Sequence, residues 1–217
     1  MKILAHRGCH LDHPENSMDA FAAAVSRRFD GIETDVRAST DGQAVLIHDR
    51  VLKMGVAVSD LTHAELSHAC GFTIPTLEDA LDAFPGILWN IEIKTVEAAA
   101  LAWPILRRYA SSRRLLLTSF RHDVVIQSLS EIACPAGFLI ASHPSDIPHL
   151  ISACKTHPLI STVVWDFEIL DNRTLAMLSD AGIHNAVYGP RTRAEHERLA
   201  PPLIDTVITD FPDFCGL

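Results

Sequence analysis

The chain has 217 residues, 48% of them hydrophobic and 21% charged, which supplies apolar material for a sizeable core and excludes an intrinsically disordered chain. Its length suits one large domain or two small ones. The formal charge, 18 basic against 27 acidic residues, is −9 and disfavours nucleic acid or an anionic membrane surface as a bulk electrostatic partner.

In chain order, a strand is expected over residues 2–6, ending on His6 and followed by Arg7-Gly8. A helix over 17–28, capped by Asn16 or Ser17, leads to a strand over 31–37. The Asp41-Gly42 turn precedes a short strand over 44–48, ending on His48. Residues 49–75 leave the rhythm and read as a short insertion carrying one helix over 62–69. Helices over 76–83, 97–109, 123–132, 147–154, 172–181 and 192–199 then alternate with strands over 87–94, 115–120, 136–141, 162–165, 183–188 and 206–209. Thr76 and Asp171 cap two of these helices, and Gly182 ends one in a left-handed turn.

This alternation predicts a parallel sheet with helical crossovers, and the eight long-spaced strands fit a compact (β/α)8 TIM barrel with residues 1–217 as one domain. An open doubly wound sheet is the alternative, but no Gly-x-Gly-x-x-Gly follows the first strand to support its dinucleotide-binding version. No run approaches the roughly 18 apolar residues of a membrane span. Met1 to His6 fall far short of a signal peptide, so a cytoplasmic protein without integral membrane association is expected. The five scattered cysteines read as free thiols.

The chemistry lies at the strand ends. Residues i and i+2 of a strand share a face, so Glu33 and Asp35 point one way, as do Glu92 and Lys94. In a parallel barrel, the inward row at the strands' C-terminal ends is the site floor. Three carboxylates gathered there need a compensating cation, and an all-oxygen set of Glu33, Asp35 and Glu92 suits one hard divalent ion, Mg2+ or Ca2+. Ordinary ion pairing with Lys94 is the competing reading. His6 and His48, near such a cluster, form a pair in which one imidazole takes a proton from an attacking oxygen while the other supplies one to a leaving oxygen. Arg7 offers a guanidinium fork for phosphate oxygens and Lys94 a point charge. Metal, Arg7 and Lys94 together would make the mouth positive despite the acidic chain. A zinc site on His6, His10 and His13 has spacing within range, but the cluster lies in the loop after a strand, where Pro14 breaks any helix, and the reading is disfavoured.

The chain resembles the glycerophosphodiester phosphodiesterases. The residues that carry the resemblance are His6-Arg7-Gly8, Pro14-Glu15-Asn16-Ser17, Glu33-x-Asp35-Val36, Asp41-Gly42, His48-Asp49, Thr76-Leu77-Glu78-Asp79, Glu92-Ile93-Lys94, Ser119-Phe120 and Ile208-Thr209-Asp210-x-Pro212. The resemblance implies a metal-dependent barrel hydrolysing a small glycerophosphodiester to sn-glycerol 3-phosphate and an alcohol. It implies His6 and His48 as general acid and base, either way round, and Glu33, Asp35 and Glu92 as metal ligands. Arg7 and Lys94 would hold the phosphate, with Glu15, Asn16 and Asp49 in support. Two segments depart from the family pattern: the abbreviated Val51-Leu52-Lys53-Met54-Gly55, and Tyr188-Gly189-Pro190-Arg191 late in the barrel. Both fall on the alcohol or glycerol side. Trp165 and Tyr188, at predicted strand ends, are candidate walls for glycerol carbons, with core packing an equally good reading of each.

Other readings fit less well. A proton-abstracting carboxylate–Mg2+ barrel of the enolase kind would leave His6, Arg7 and His48 without a joint purpose. A catalytically idle phosphodiester-binding barrel would not need both histidines. A phosphodiesterase acting on a non-glycerol or lysophospholipid diester keeps the same central residues.

Overall fold

The computed structural model describes residues 1–199 and 201–216. Its strands are β1 (Lys2–His6), β2 (Gly31–Ala38), β3 (Ala44–Leu46), β4 (Leu88–Ile93), β5 (Arg114–Ser119), β6 (Ala136–Ile140), β7 (Ile160–Asp166), β8 (His184–Tyr188) and β9 (Thr206–Thr209). All pair in parallel except β3, which forms an antiparallel hairpin on β2. The β1–β9 and β1–β2 pairings close the remaining eight into a barrel. Closure makes the first and last strands neighbours and so joins residues from the two ends of the chain at one rim.

The helices are α1 (Met18–Ser26), α2 (His63–Cys70), α3 (Leu77–Ala83), α4 (Val96–Tyr109), α5 (His122–Glu131), α6 (Ile147–Thr156), α7 (Asn172–Asp180) and α8 (Arg193–Glu197). Side-chain caps set most of their starts. Ser17, Thr76 and Asp171 each accept a first-turn backbone N–H, so of the two candidates for α1 it is Ser17 that caps. Asn16 is engaged elsewhere. Gly182 follows α7 at φ +77°, the left-handed turn its position predicted. After β9 there is only a single 3-10 turn among the described residues, Pro212–Phe214.

Two strands differ from their predicted spans by two residues at one end. β3 stops at Leu46 rather than 48, and the next residues are held singly: the Ile47 N–H donates to the Asp35 carbonyl, and Arg37 Nε donates to the His48 carbonyl at 2.7 Å. β7 begins at Ile160 and runs to Asp166, with an irregularity opposite Ala136/Gly137. There the bare Gly137 lets the strands approach, since a Cβ would sit 2.9 Å from the Thr162 carbonyl oxygen.

The main core lies between strands and helices. Phe21 of α1 and Trp89 of β4, both fully buried, meet edge to face at 5.2 Å between ring centroids. Inside the barrel a smaller cluster of Leu4, Leu139, Val164, Ala186 and Ile208 fills the floor. The insertion after β3 packs Val58, Leu66 and Ile74 with Ile47 against Val45 of β3 in a buried set of its own. It is therefore a packed appendage, with α2 fixed by a Thr62–Glu65 capping box. All five cysteines are free thiols. No described helix is long and apolar enough to cross a membrane.

Candidate active site

Each barrel strand delivers its last residues to one rim. His6 ends β1, opposite Glu33 of β2. Parallel pairing then aligns Glu33 with Asn90 and Asp35 with Glu92 of β4. In-register neighbours share a face, so Glu33, Asp35 and Glu92 bring three carboxylate oxygens within 4.8 Å of one another.

The chain leaves β1 through a turn that only particular residues allow. Arg7 and Gly8 have φ of 55° and 76°. A Cβ on Gly8 would lie 2.7 Å from the Ala20 carbonyl carbon, so glycine is required where the loop passes α1. This turn brings the Arg7 guanidinium back over the carboxylates, with Nη1 donating to Glu15 at 2.8 Å and Nε 3.3 Å from Asp35. Asn16, also left-handed and almost fully buried, donates through Nδ2 to Asp35 at 2.9 Å and accepts from Thr34 Oγ1 at 2.7 Å. The two supporting residues thus grip Arg7 and Asp35 respectively.

Lys94 does pair with the carboxylates, but not with all three. Its Nζ lies 2.7 Å from Asp35 and 2.6 Å from Glu92. Burial pushes the Asp35 carboxyl up, but Lys94 and Arg7 outweigh it and hold Asp35 below the usual carboxylate range. Burial raises Glu92 despite Lys94. Glu33 is raised well above the ordinary value by burial and by the charges of Asp35 and Glu92. Among the described residues its carboxylate accepts from the Arg7 backbone N–H at 3.3 Å, and His6 Nε2 lies beyond hydrogen-bond distance at 3.9 Å. A buried carboxylate left short of positive charge, beside two others, is a donor set that fits a hard divalent cation.

His48 sits beyond β3, tethered through its carbonyl to Arg37 and through Nδ1 to Asp49 Oδ1 at 2.9 Å. Burial lowers its imidazole below the ordinary value despite the Asp35 and Asp49 carboxylates. His6 likewise donates Nδ1–H to a carboxylate, Asp210, at 2.7 Å. Asp210 follows β9 and also accepts from His10 Nε2 at 2.8 Å. Those two hydrogen bonds outweigh burial and hold the Asp210 carboxyl low, while His10 is raised. His13 stands outside this group.

His6, His48, Arg7, Glu33, Glu92 and Lys94 all line one cavity of about 320 Å³, with Asp35 just beneath. Tyr188 lines it too, half-buried, its phenol pushed up by burial and by Asp166. Trp165 does not. The period of two along β7 turns Val164 and Asp166 into the barrel and Trp165 out to the helices, 1% exposed, with Nε1 donating to Asn185 at 3.1 Å. The candidate glycerol wall at Trp165 is therefore corrected to a core residue. The cavity also holds residues that strand periodicity did not single out: Asn90, Phe120, Asp166, Glu168, Arg191 and Asp210. Asn90 had a signal, since it precedes Glu92 by two on the same face. Five carboxylates and three cationic side chains line the cavity, so the residues alone do not make the mouth positive; that requires a bound cation.

Residues 6–214 match the glycerophosphoryl diester phosphodiesterase family. A Bacillus altitudinis glycerophosphodiester phosphodiesterase is 34% identical over 251 aligned positions, covering 98% of this chain and 95% of its own. A Mycobacterium tuberculosis relative is 42% identical over 127 residues, 54% of this chain, which is 47% of that protein's length. Among solved structures, the Thermotoga maritima glycerophosphodiester phosphodiesterase superposes with a TM-score of 0.84 at 26% identity, over 97% of this chain and 94% of its own. An Oleispira antarctica phosphodiesterase, in complex with its product sn-glycerol-3-phosphate, has the same fold, with a TM-score of 0.87 at 21% identity and coverage of 100% and 96%.

Proposed function

The chain belongs to the glycerophosphoryl diester phosphodiesterase family, and from that membership we propose that it hydrolyses a glycerophosphodiester to sn-glycerol 3-phosphate and an alcohol, with His6 and His48 as its acid–base pair. The observation that supports the reading is the meeting of two imidazoles, three clustered carboxylates, Lys94 and Arg7 around one cavity. Each imidazole has its Nδ1 committed to an aspartate, which leaves Nε2 as the atom that exchanges a proton with substrate. One Nε2 takes the proton from the attacking oxygen; the other gives one to the departing alkoxide. Lys94 uses two of its donors on Asp35 and Glu92 and keeps a third for a phosphoryl oxygen. Arg7, braced by Glu15, turns its remaining N–H groups to the same phosphate.

Glu33, Asp35 and Glu92 would hold one divalent ion, Mg2+ or Ca2+, which when bound offsets charge on the phosphoryl oxygens. Tyr188 forms a wall against the glycerol carbons. The substrate is a small molecule, met in the cytoplasm, and residues 1–217 act as one catalytic domain. The product held by the Oleispira antarctica structure supports glycerol 3-phosphate as the product here.

A second reading has an observation of its own. An adjoining groove of about 660 Å³ shares Arg7 with the cavity and is walled by Leu46, Leu52, Met54, Phe72 and Ile74. An apolar leaving group, as in a lysophospholipid, would suit it.

His6→Ala and His48→Ala should each lower kcat by about two to four orders of magnitude with an unchanged circular dichroism spectrum. A loss below about tenfold in either would remove that histidine from the acid–base pair.

A further inference from the structure

Two imidazoles, His6 and His10, converge on the one carboxylate of Asp210, an arrangement that proton exchange at His6 Nε2 does not by itself require. The β1–β9 register matches Ala5 with Thr209, so the next residue of each chain segment, His6 and Asp210, leaves the barrel side by side. Asp210 is then anchored from behind. His196 Nδ1–H donates to the Thr192 carbonyl at 2.7 Å, which makes its Nε2 an acceptor. Thr209 Oγ1–H therefore donates to His196 Nε2 at 2.7 Å, and the same oxygen accepts the Phe211 N–H at 2.9 Å. The turn on which Asp210 sits is fixed at both ends. In front, one oxygen of Asp210 accepts from His6 Nδ1 at 2.7 Å and from His10 Nε2 at 2.8 Å. The two rings stand nearly perpendicular, at 78° and 6.0 Å between centroids, so they reach that oxygen from different directions.

From this geometry we infer that Asp210 is the positioning residue for His6, with His10 clamping Asp210 in the rotamer that does so. The carboxylate holds His6 as its Nδ1–H tautomer and aims Nε2 into the cavity, 3.9 Å from Glu33. His48 has a weaker device: Asp49 is the adjacent residue and its side chain is 59% exposed, whereas that of Asp210 is 31% exposed and doubly bonded. The inference rests on the reading of His6 as one of the acid–base pair.

The test is steady-state turnover of glycerophosphocholine in Asp210→Ala, Asp210→Asn, His6→Ala and the His6→Ala/Asp210→Ala double variant, each checked by circular dichroism. Asp210→Ala should lower kcat about 10- to 100-fold with KM changed less than about twofold. Asp210→Asn, whose amide oxygen still accepts Nδ1–H, should lose less and carries the test if the alanine variant does not fold. In the His6→Ala background, Asp210→Ala should cost nothing further, because it acts through the missing ring. Nitrogen-15 spectra of the histidines above pH 8 should show the His6 proton on Nδ1 in the wild type and its release from that nitrogen in Asp210→Ala. Equal losses in both backgrounds, unchanged kcat in Asp210→Ala and Asp210→Asn, or a His6 proton on Nε2 in the wild type would each overturn the inference. If His6→Ala itself keeps full turnover, the acid–base reading of His6 fails and the positioning role falls with it. Impaired His6→Ala beside intact Asp210 variants sinks the positioning role alone.

Discussion

Gly8 shows how a single position decides whether the site assembles. Its φ of +76° and the 2.7 Å that would separate a Cβ from the Ala20 carbonyl carbon leave no room for any other residue. Gly8→Ala should therefore destabilise the protein by at least about 1–3 kcal/mol, read as a fall in thermal midpoint, and should loosen Arg7, one residue away. An unchanged midpoint would contradict the strained turn. The local pattern of the sequence made some residues legible and not others. Alternation along single strands exposed Glu33, Asp35, Glu92 and Lys94, because their shared face needs only the period of two. The role of Asp210 was not readable that way, although its motif was. Its hydrogen bond to His6 joins residues 204 positions apart and exists only because the barrel closes β1 against β9. Trp165 was misread as inward because it closed the predicted strand, whereas the same period of two puts Val164 and Asp166 inside and Trp165 against the helices.

Among the elements, caps were better predictors than hydrophobic runs. Thr76 and Asp171 mark their helices to the residue, whereas the ends of β3 and β7 depend on pairing partners that no local pattern announces. Asp171 also makes α7 pH-sensitive. It accepts from the Thr174 N–H at 2.8 Å and from His143 Nε2 at 2.8 Å, and these bonds, with Thr174 foremost, lower its carboxyl to about 2. A carboxyl depressed on folding contributes stability that is present above its unfolded value, roughly 3.9, and lost as pH falls through its folded one. The side chain is 43% exposed, so solvent screening limits the ion-pair share, and the cap itself sets a scale of about 1 kcal/mol. Asp171→Asn keeps a capping oxygen without the titration. In urea unfolding from pH 5 downward, the wild type should start the more stable and lose stability faster than Asp171→Asn, so that the difference between them narrows below about pH 4. Parallel curves would contradict the assignment.

At the level of the whole molecule, the −9 charge and the acid-rich cavity pose one electrostatic problem. A phosphodiester anion must enter a mouth lined by five carboxylates and three cationic side chains. Lys94 and Arg7 are already drawn toward Asp35 and Glu92, which leaves Glu33 raised and, among the described residues, without an ion-pair partner in Lys or Arg. A divalent ion held by Glu33, Asp35 and Glu92 would offset that negative charge, with the two basic residues assisting. Barrel closure makes this possible by gathering β1, β2, β4 and β9 at one rim. The eightfold alternation was legible in the sequence because most strand–helix units have their own caps and runs. The balance of charge inside the mouth was not, because it depends on side chains such as Asp166 and Glu168 from the far side of the barrel.

The central claim is tested most directly by stripping the protein of metal and following glycerol 3-phosphate release from glycerophosphocholine and glycerophosphoethanolamine as Mg2+, Ca2+ or Mn2+ is restored. Lysophosphatidylcholine and bis-(p-nitrophenyl) phosphate serve as parallel substrates. Release from the glycerol diesters should be negligible without metal and return with at least one of the ions. Full turnover by the stripped protein would contradict the carboxylate cluster as a metal site. Cleavage of bis-(p-nitrophenyl) phosphate without glycerol 3-phosphate release from any glycerol diester would contradict the substrate.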